Sequence, residues 1–200
     1  MSPTADQLDA LQELINIGVG RAAAILNEML DLHVYLQVPL IKMIPLAETS
    51  YELEQRLGKI PVSSSCMNFS GSFTGTAQLV FPRDSAAKLV CAFIGEETEV
   101  PDLDAVKVGT LNEVGNIVIN SEMGSISNLL KQHLNYSIPL YLEDTVEHLL
   151  AFNKVEENAT VLLAQARFTI QQLLITGDII LIFTVKSFET LLETVESGLG

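Results

Sequence analysis

The chain has 200 residues, 48% of them hydrophobic and 18% charged, the balance of a soluble globular protein with a sizeable core. Its formal net charge is −14 and its 11 Lys and Arg are spread out, which argues against nucleic acid and against an anionic membrane surface as partners. Two cysteines, Cys66 and Cys91, without any zinc-type Cys and His spacing, read as reduced thiols and leave no metal site. The start, Ser2-Pro3-Thr4-Ala5-Asp6, lacks the basic and apolar regions of a secretory signal, so the expected location is cytoplasmic.

The first predicted element is a long helix over about 5–31, with Thr4 as N-cap and Gln7 completing a capping box. At 100° per residue Leu11, Leu14, Gly18, Ala22, Ile25 and Met29 share one side, and Asp9, Glu13, Asn16, Gly20 and Asn27 the other. A strand over 33–45 follows, with Pro39 favouring an edge or bend, and then a polar stretch over 47–57 without clear periodicity. Strands over 59–69 and 72–81 make a hairpin, and a short helix over 84–93 closes the first half. The acidic connection 96–102 has no apolar pattern and marks the boundary.

The second half predicts the same order: a helix over 103–132, a strand over 134–142, strands over 160–169 and 172–185, and a closing helix over 187–196. The apolar stretch 161–185 approaches the length of a membrane span, but polar residues interrupt it, and Thr176-Gly177-Asp178 reads as a turn between two strands. In the second helix Leu111, Val114, Val118 and Leu129 form the buried side and Glu113, Asn116, Asn120 and Ser127 the outer side. Glu122 falls on the apolar side, where its carboxylate stays hydrated only by reaching the helix edge.

The halves also match residue by residue. At an offset of 100, Leu11/Leu111, Glu13/Glu113, Asn16/Asn116, Ile17/Ile117, Leu30/Leu130, His33/His133, Pro39/Pro139 and Leu40/Leu140 coincide. At an offset of 102, Thr74/Thr176, Gly75/Gly177, Leu79/Leu181, Phe81/Phe183, Ser85/Ser187 and Leu89/Leu191 do. The expectation is an α/β (α+β) fold, internally duplicated as repeats 5–95 and 103–200 of one domain. It has a mainly antiparallel sheet, two long helices side by side on one face, and pseudo-two-fold symmetry. Each half alone offers a small core, which disfavours two separate domains. Gly18 and Gly115, inside the helices, read as packing points against the sheet or the other helix.

Asp9, Glu13 and Asn16 lie within a wedge of roughly 60° on the first helix, and Glu113 and Asn116 reproduce the pair. A core does not demand these polar residues, and Gly20 and Ala23 beside them would let another protein approach closely. An acidic residue or Ser, three residues, Glu, two residues, Asn, then twenty-two residues and Pro resembles the signature of the CheC/CheX/FliY phosphatases of bacterial chemotaxis. Asp9, Glu13, Asn16 and Pro39 satisfy it. Glu113, Asn116 and Pro139 satisfy a second copy, with Gly109 where Asp or Ser is expected.

The resemblance implies hydrolysis of the aspartyl phosphate on a CheY-like receiver domain, which already brings a magnesium ion and a Lys, so the chain needs no cofactor of its own. It implies Asn16 and Asn116 as the groups that orient the attacking water, Glu13 and Glu113 as partners of the receiver Lys, and Asp9 and Gly20 as docking residues. The alternative is a binding module on the same fold, sequestering a phosphorylated receiver or contacting the deamidase CheD without turnover. His33 and His133, each just past its helix, read as caps of free carbonyls.

Overall fold

The sequence signal at Thr4 starts a helix in fact: the Gln7 N–H donates to Thr4 Oγ1 at 3.2 Å and the Thr4 N–H donates to Gln7 Oε1 at 2.8 Å. This reciprocal pair satisfies two donors that the first turn leaves open. The computed structural model describes residues 4–37, 40–72, 74–95, 103–129, 131–151, 160–184 and 193. In chain order its elements are α1 (Ala5–Leu30), β1 (Tyr35–Leu36), β2 (Leu40–Pro45), α2 (Leu46–Leu57), β3 (Val62–Gly71), β4 (Gly75–Pro82) and α3 (Arg83–Ile94). They continue with α4 (Leu103–Leu129), β5 (Leu134–Tyr136), β6 (Leu140–Asp144), α5 (Val146–Ala151), β7 (Thr160–Ile170), a 3₁₀ turn at Gln171–Leu173, and β8 (Ile175–Thr184).

The eight described strands form one antiparallel sheet in the order β1-β7-β8-β4-β3-β5, with β2 also on β7 and β6 also on β3. The centre is β4 against β8, running from Gly75 opposite Phe183 to Val80 opposite Asp178. The flanks are crossed. β2, from the first half, pairs with β7 from Leu40–Gln165 to Pro45–Thr160, and β6, from the second half, pairs with β3 from Cys66–Leu140 to Val62–Asp144.

Strand alternation sends Met67, Phe69, Leu79, Phe81, Leu162, Phe168, Leu181 and Phe183 to one face, where α1, α3 and α4 cover them in the larger core. Val62, Val80, Val161, Leu163, Ile180 and Ile182 point the other way and pack on Leu53 of α2 and on Val146 and Leu149 of α5. Both faces are thus covered, which is why β7 and β8 read as apolar runs and why Ser63, Ser64 and Ser65 are all buried. α1 and α4 lie against each other on the first face, as expected. Their glycines do what the sequence suggests. A Cβ on Gly18 would stand 3.0 Å from Ile126 Cγ1 and 3.2 Å from the Glu122 carbonyl oxygen of α4, and one on Gly115 would stand 2.1 Å from Ser65 Oγ of β3.

Several expectations change. The polar stretch 47–57 is the helix α2, whose amphipathicity is narrow: only Thr49 and Leu53 are buried. A second short helix, α5, precedes β7. The strand expected over 33–45 is two pieces, β1 and β2, and that over 134–142 is likewise β5 and β6. Thr176-Gly177-Asp178 is no turn but part of β8; the reversal sits at Gln171–Leu174, where Leu174 adopts φ 52°. Gly177 answers to packing, since a Cβ there would fall 2.3 Å from the Phe168 ring. Gly75, its partner in the offset match, is hemmed in the same way by the Phe69 ring at 2.5 Å. Among the described residues no hydrogen bond joins His33 or His133 to a helix carbonyl. Asp31 and Lys131 take left-handed backbones, φ 53° and 51°, and the His33 ring instead meets Tyr35 edge-on at 4.4 Å. The connection 96–102, Pro39, Leu130 and, apart from Glu193, the expected helix 187–196 lie outside the described residues.

Candidate functional site

Helix α1 buries Leu11, Leu14, Ile15, Gly18, Val19, Ala22, Ala23 and Leu26 against α4 and the sheet. The rest of its circumference follows from that choice. Asp9, Glu13, Gly20, Ala24 and Asn27 are exposed, Ile17 is 40% exposed, and Asn16 is half-buried at the edge of the stripe. A Cβ on Gly20 would meet nothing within 4 Å, so the helix surface there is flat and open. Ala23, expected beside the pair, faces the core instead at 7% exposure.

Helix α4 is enclosed on more sides, by α1, α3 and the sheet. Between Val108 and Ser127 the exposed positions are Gly109, Glu113 and Asn120, with Asn116 half-buried as Asn16 is. Ser127, expected outside, is buried, and its hydroxyl donates to the Gln132 carbonyl as the chain leaves the helix. Leu129, expected inside, is 48% exposed. Glu122 is buried at 0% exposure and reaches no edge; neither carboxyl oxygen has a hydrogen-bond partner among the described residues, and burial pushes its pKa up to about 8.

The first turns of α4 are tied down by an ion cluster that sequence reading missed. Glu143 of β6 meets Lys107 Nζ at 2.7 Å and Arg83 Nε of α3 at 2.6 Å, and the Tyr141 hydroxyl donates to it at 2.8 Å. Burial alone would raise the Glu143 carboxyl; the hydrogen bonds from Lys107 and Tyr141 and the charges of Lys107 and Arg83 hold it below the usual range. The residues come from three separate elements, so no local motif announces them. In the second pair, Asn120 Nδ2 donates to Asn116 Oδ1 at 2.7 Å.

Glu13 with Asn16, and Glu113 with Asn116, therefore stand on outward helix surfaces. A recess of about 390 Å³ lies elsewhere, lined by Asn68, Ser70, Thr76, Asn135 and Ser137, and none of the four residues borders it. A carboxylate and an amide on an open helix face suit a macromolecular partner that brings its own cleft, more than a small molecule that needs enclosure.

The family model described as the CheC-like family matches residues 7–43, the span that holds Asp9, Glu13 and Asn16. The CheY-P phosphatase CheC of Bacillus subtilis is 28% identical over 166 residues, 78% of this chain and 78% of that protein. The chain is similar to the CheC-like proteins in sequence. The flagellar motor switch phosphatase FliY of Bacillus subtilis is 26% identical over 133 residues, which cover 66% of this chain and 34% of that longer protein. The fold is shared with a solved structure: the crystal structure of Thermotoga maritima FliY superposes with a TM-score of 0.77 at 18% identity, covering 99% of this chain and 100% of that one. Of the signature positions, Asp9, Glu13, Asn16, Glu113, Asn116 and Pro139 are described here, and Pro39 is not.

Proposed function

We propose that this chain acts in chemotaxis signalling as a phosphatase, hydrolysing the aspartyl phosphate of a CheY-like receiver domain. The observation that carries the reading is the pairing of an exposed Glu with a half-buried Asn, one helical turn apart, on the outward face of both long helices. The names of two relatives, a CheY-P phosphatase and a flagellar motor switch phosphatase, support it.

The chemistry asks little of such a protein. An acyl phosphate on a receiver is activated by the receiver's own magnesium and Lys, and what is missing is a water held in line with the bond to be broken. The amides of Asn16 and Asn116 each offer a donor and an acceptor to that water, so their contribution is orientation. Glu13 and Glu113 pair with the receiver Lys and fix the register of the helix on its target. Asp9 and the open surface at Gly20 assist docking at the first site. Gly109 leaves the second site without the matching acid.

The test is phosphate release from a phosphorylated receiver with magnesium present. Asn16→Ala and Asn116→Ala should each remove part of the acceleration, and the double change nearly all of it. A double variant that hydrolyses at the parent rate would overturn the assignment. One that binds the phosphorylated receiver without ever accelerating its decay, wild type included, would make the chain a sequestering module.

A further inference from the structure

The two pairs differ in what stands four residues further along the helix. After Asn116 comes Asn120, whose Nδ2 donates to Asn116 Oδ1 at 2.7 Å. After Asn16 comes Gly20, where even a Cβ would meet no atom within 4 Å, and no described residue hydrogen-bonds the Asn16 side chain.

An asparagine on a helix has two common χ1 wells, and its amide can turn either way round, which makes about four states of similar energy. Only one of them presents the amide correctly to a water beside a docked phosphate. An i,i+4 amide pair is the spacing at which two side chains on a helix surface meet. The bond in this pair has a defined polarity: Asn116 is the acceptor, so its Oδ1 is turned toward Asn120 and its Nδ2 away. A carbonyl oxygen has a second lone pair, so the hold leaves Asn116 able to accept as well as donate. Asn120 itself is exposed and contributes nothing to the core.

We infer that Asn120 is a positioning residue of the second site, holding the Asn116 amide in one orientation, while the first site has no equivalent because Gly20 occupies its place. The inference rests on the reading of Asn116 as the water-orienting group. It makes the sites unequal in opposite respects. The first has the extra docking acid, Asp9, and an unheld amide; the second lacks the acid at Gly109 and has its amide set in advance. Losing the hold lowers the fraction of docked complexes with a productive amide, which is a change in kcat, and leaves Glu113 docking, and hence KM, as it was.

The experiment is steady-state phosphate release from the phosphorylated receiver in an Asn16→Ala background, where only the second site remains. Asn120→Ala should lower kcat by up to about fourfold, the number of states released, with KM unchanged. Asn120→Gln, whose amide also spans an i,i+4 gap, should restore most of the loss. A purely structural surface pair would not produce this split or this rescue. An unchanged kcat in Asn120→Ala, when Asn116→Ala in the same background abolishes turnover, overturns the inference and leaves the function intact. Parent-level turnover in Asn16→Ala with Asn116→Ala overturns both.

Discussion

Glu122 allows a sharp test of how the two long helices pack. It is 0% exposed, neither oxygen has a partner among the described residues, and burial raises its pKa from 4.5 to about 8. The folded chain thus holds the proton more tightly than the unfolded chain, so the stability linked to this group is full below the unfolded pKa. It is lost as pH rises toward the folded value, and is flat beyond it. Each pKa unit is worth about 1.4 kcal/mol, so the group should cost roughly 3 kcal/mol between about pH 5 and about pH 7.5. That is a large part of the roughly 5–15 kcal/mol typical of a domain. Glu122→Gln keeps the shape and removes the titration. The amide has one more donor to leave unsatisfied, a pH-independent cost of about 1–3 kcal/mol. Urea unfolding of both proteins across this range should show the Gln variant gaining on the wild type as pH rises. If the difference between them stays constant, Glu122 is hydrated or partnered and the packing argument is refuted.

Three further outcomes are expected. Gly115→Ala, which drives a Cβ to 2.1 Å from Ser65 Oγ, should destabilise by about 1–3 kcal/mol in the same unfolding assay; Gly124→Ala, which meets nothing within 4 Å, should stabilise by about 0.5–1 kcal/mol. A thiol reagent on the native protein should modify the half-buried Cys91 first, because Cys66 is buried and its thiol is pushed up to about 11; mass mapping that finds Cys66 labelled first would contradict the β3 environment. Glu13→Lys with Glu113→Lys should weaken binding of the phosphorylated receiver, and a titration with unchanged affinity would remove the docking role.

The helices and their outward Glu and Asn were legible because an amphipathic helix packed on a sheet leaves its polar stripe no other direction. The N-terminal cap of α1 was equally readable, being local. What stayed hidden depends on tertiary neighbours. α2 buries only Thr49 and Leu53, too few for a periodic signal over a polar segment. Gly177 looks like a turn residue until the Phe168 ring is seen above it, while the actual reversal uses Leu174, which no turn rule favours. Ser127 and Glu122 follow from how deeply α4 sits between α1, α3 and the sheet, a depth the helical wheel cannot supply. Asn120 was placed on the outer face, but its hold on Asn116 is a matter of rotamers.

The crossed flanks of the sheet bear on how the chain comes to be folded at all. Leu40 finds Gln165 across 125 positions, and β3 finds its outer neighbour only at Leu134–Asp144. A chain emerging from the ribosome therefore exposes the open edge of the β3–β4 hairpin, and keeps β2 without its partner, until nearly all of the sequence has been made. Pairing across such separations carries a loop-closure cost before any contact repays it, so folding should be slow for the size. Separated at the acidic connection, neither piece could finish its sheet alone; each carries the border strands of the other, and order would return only when the two meet.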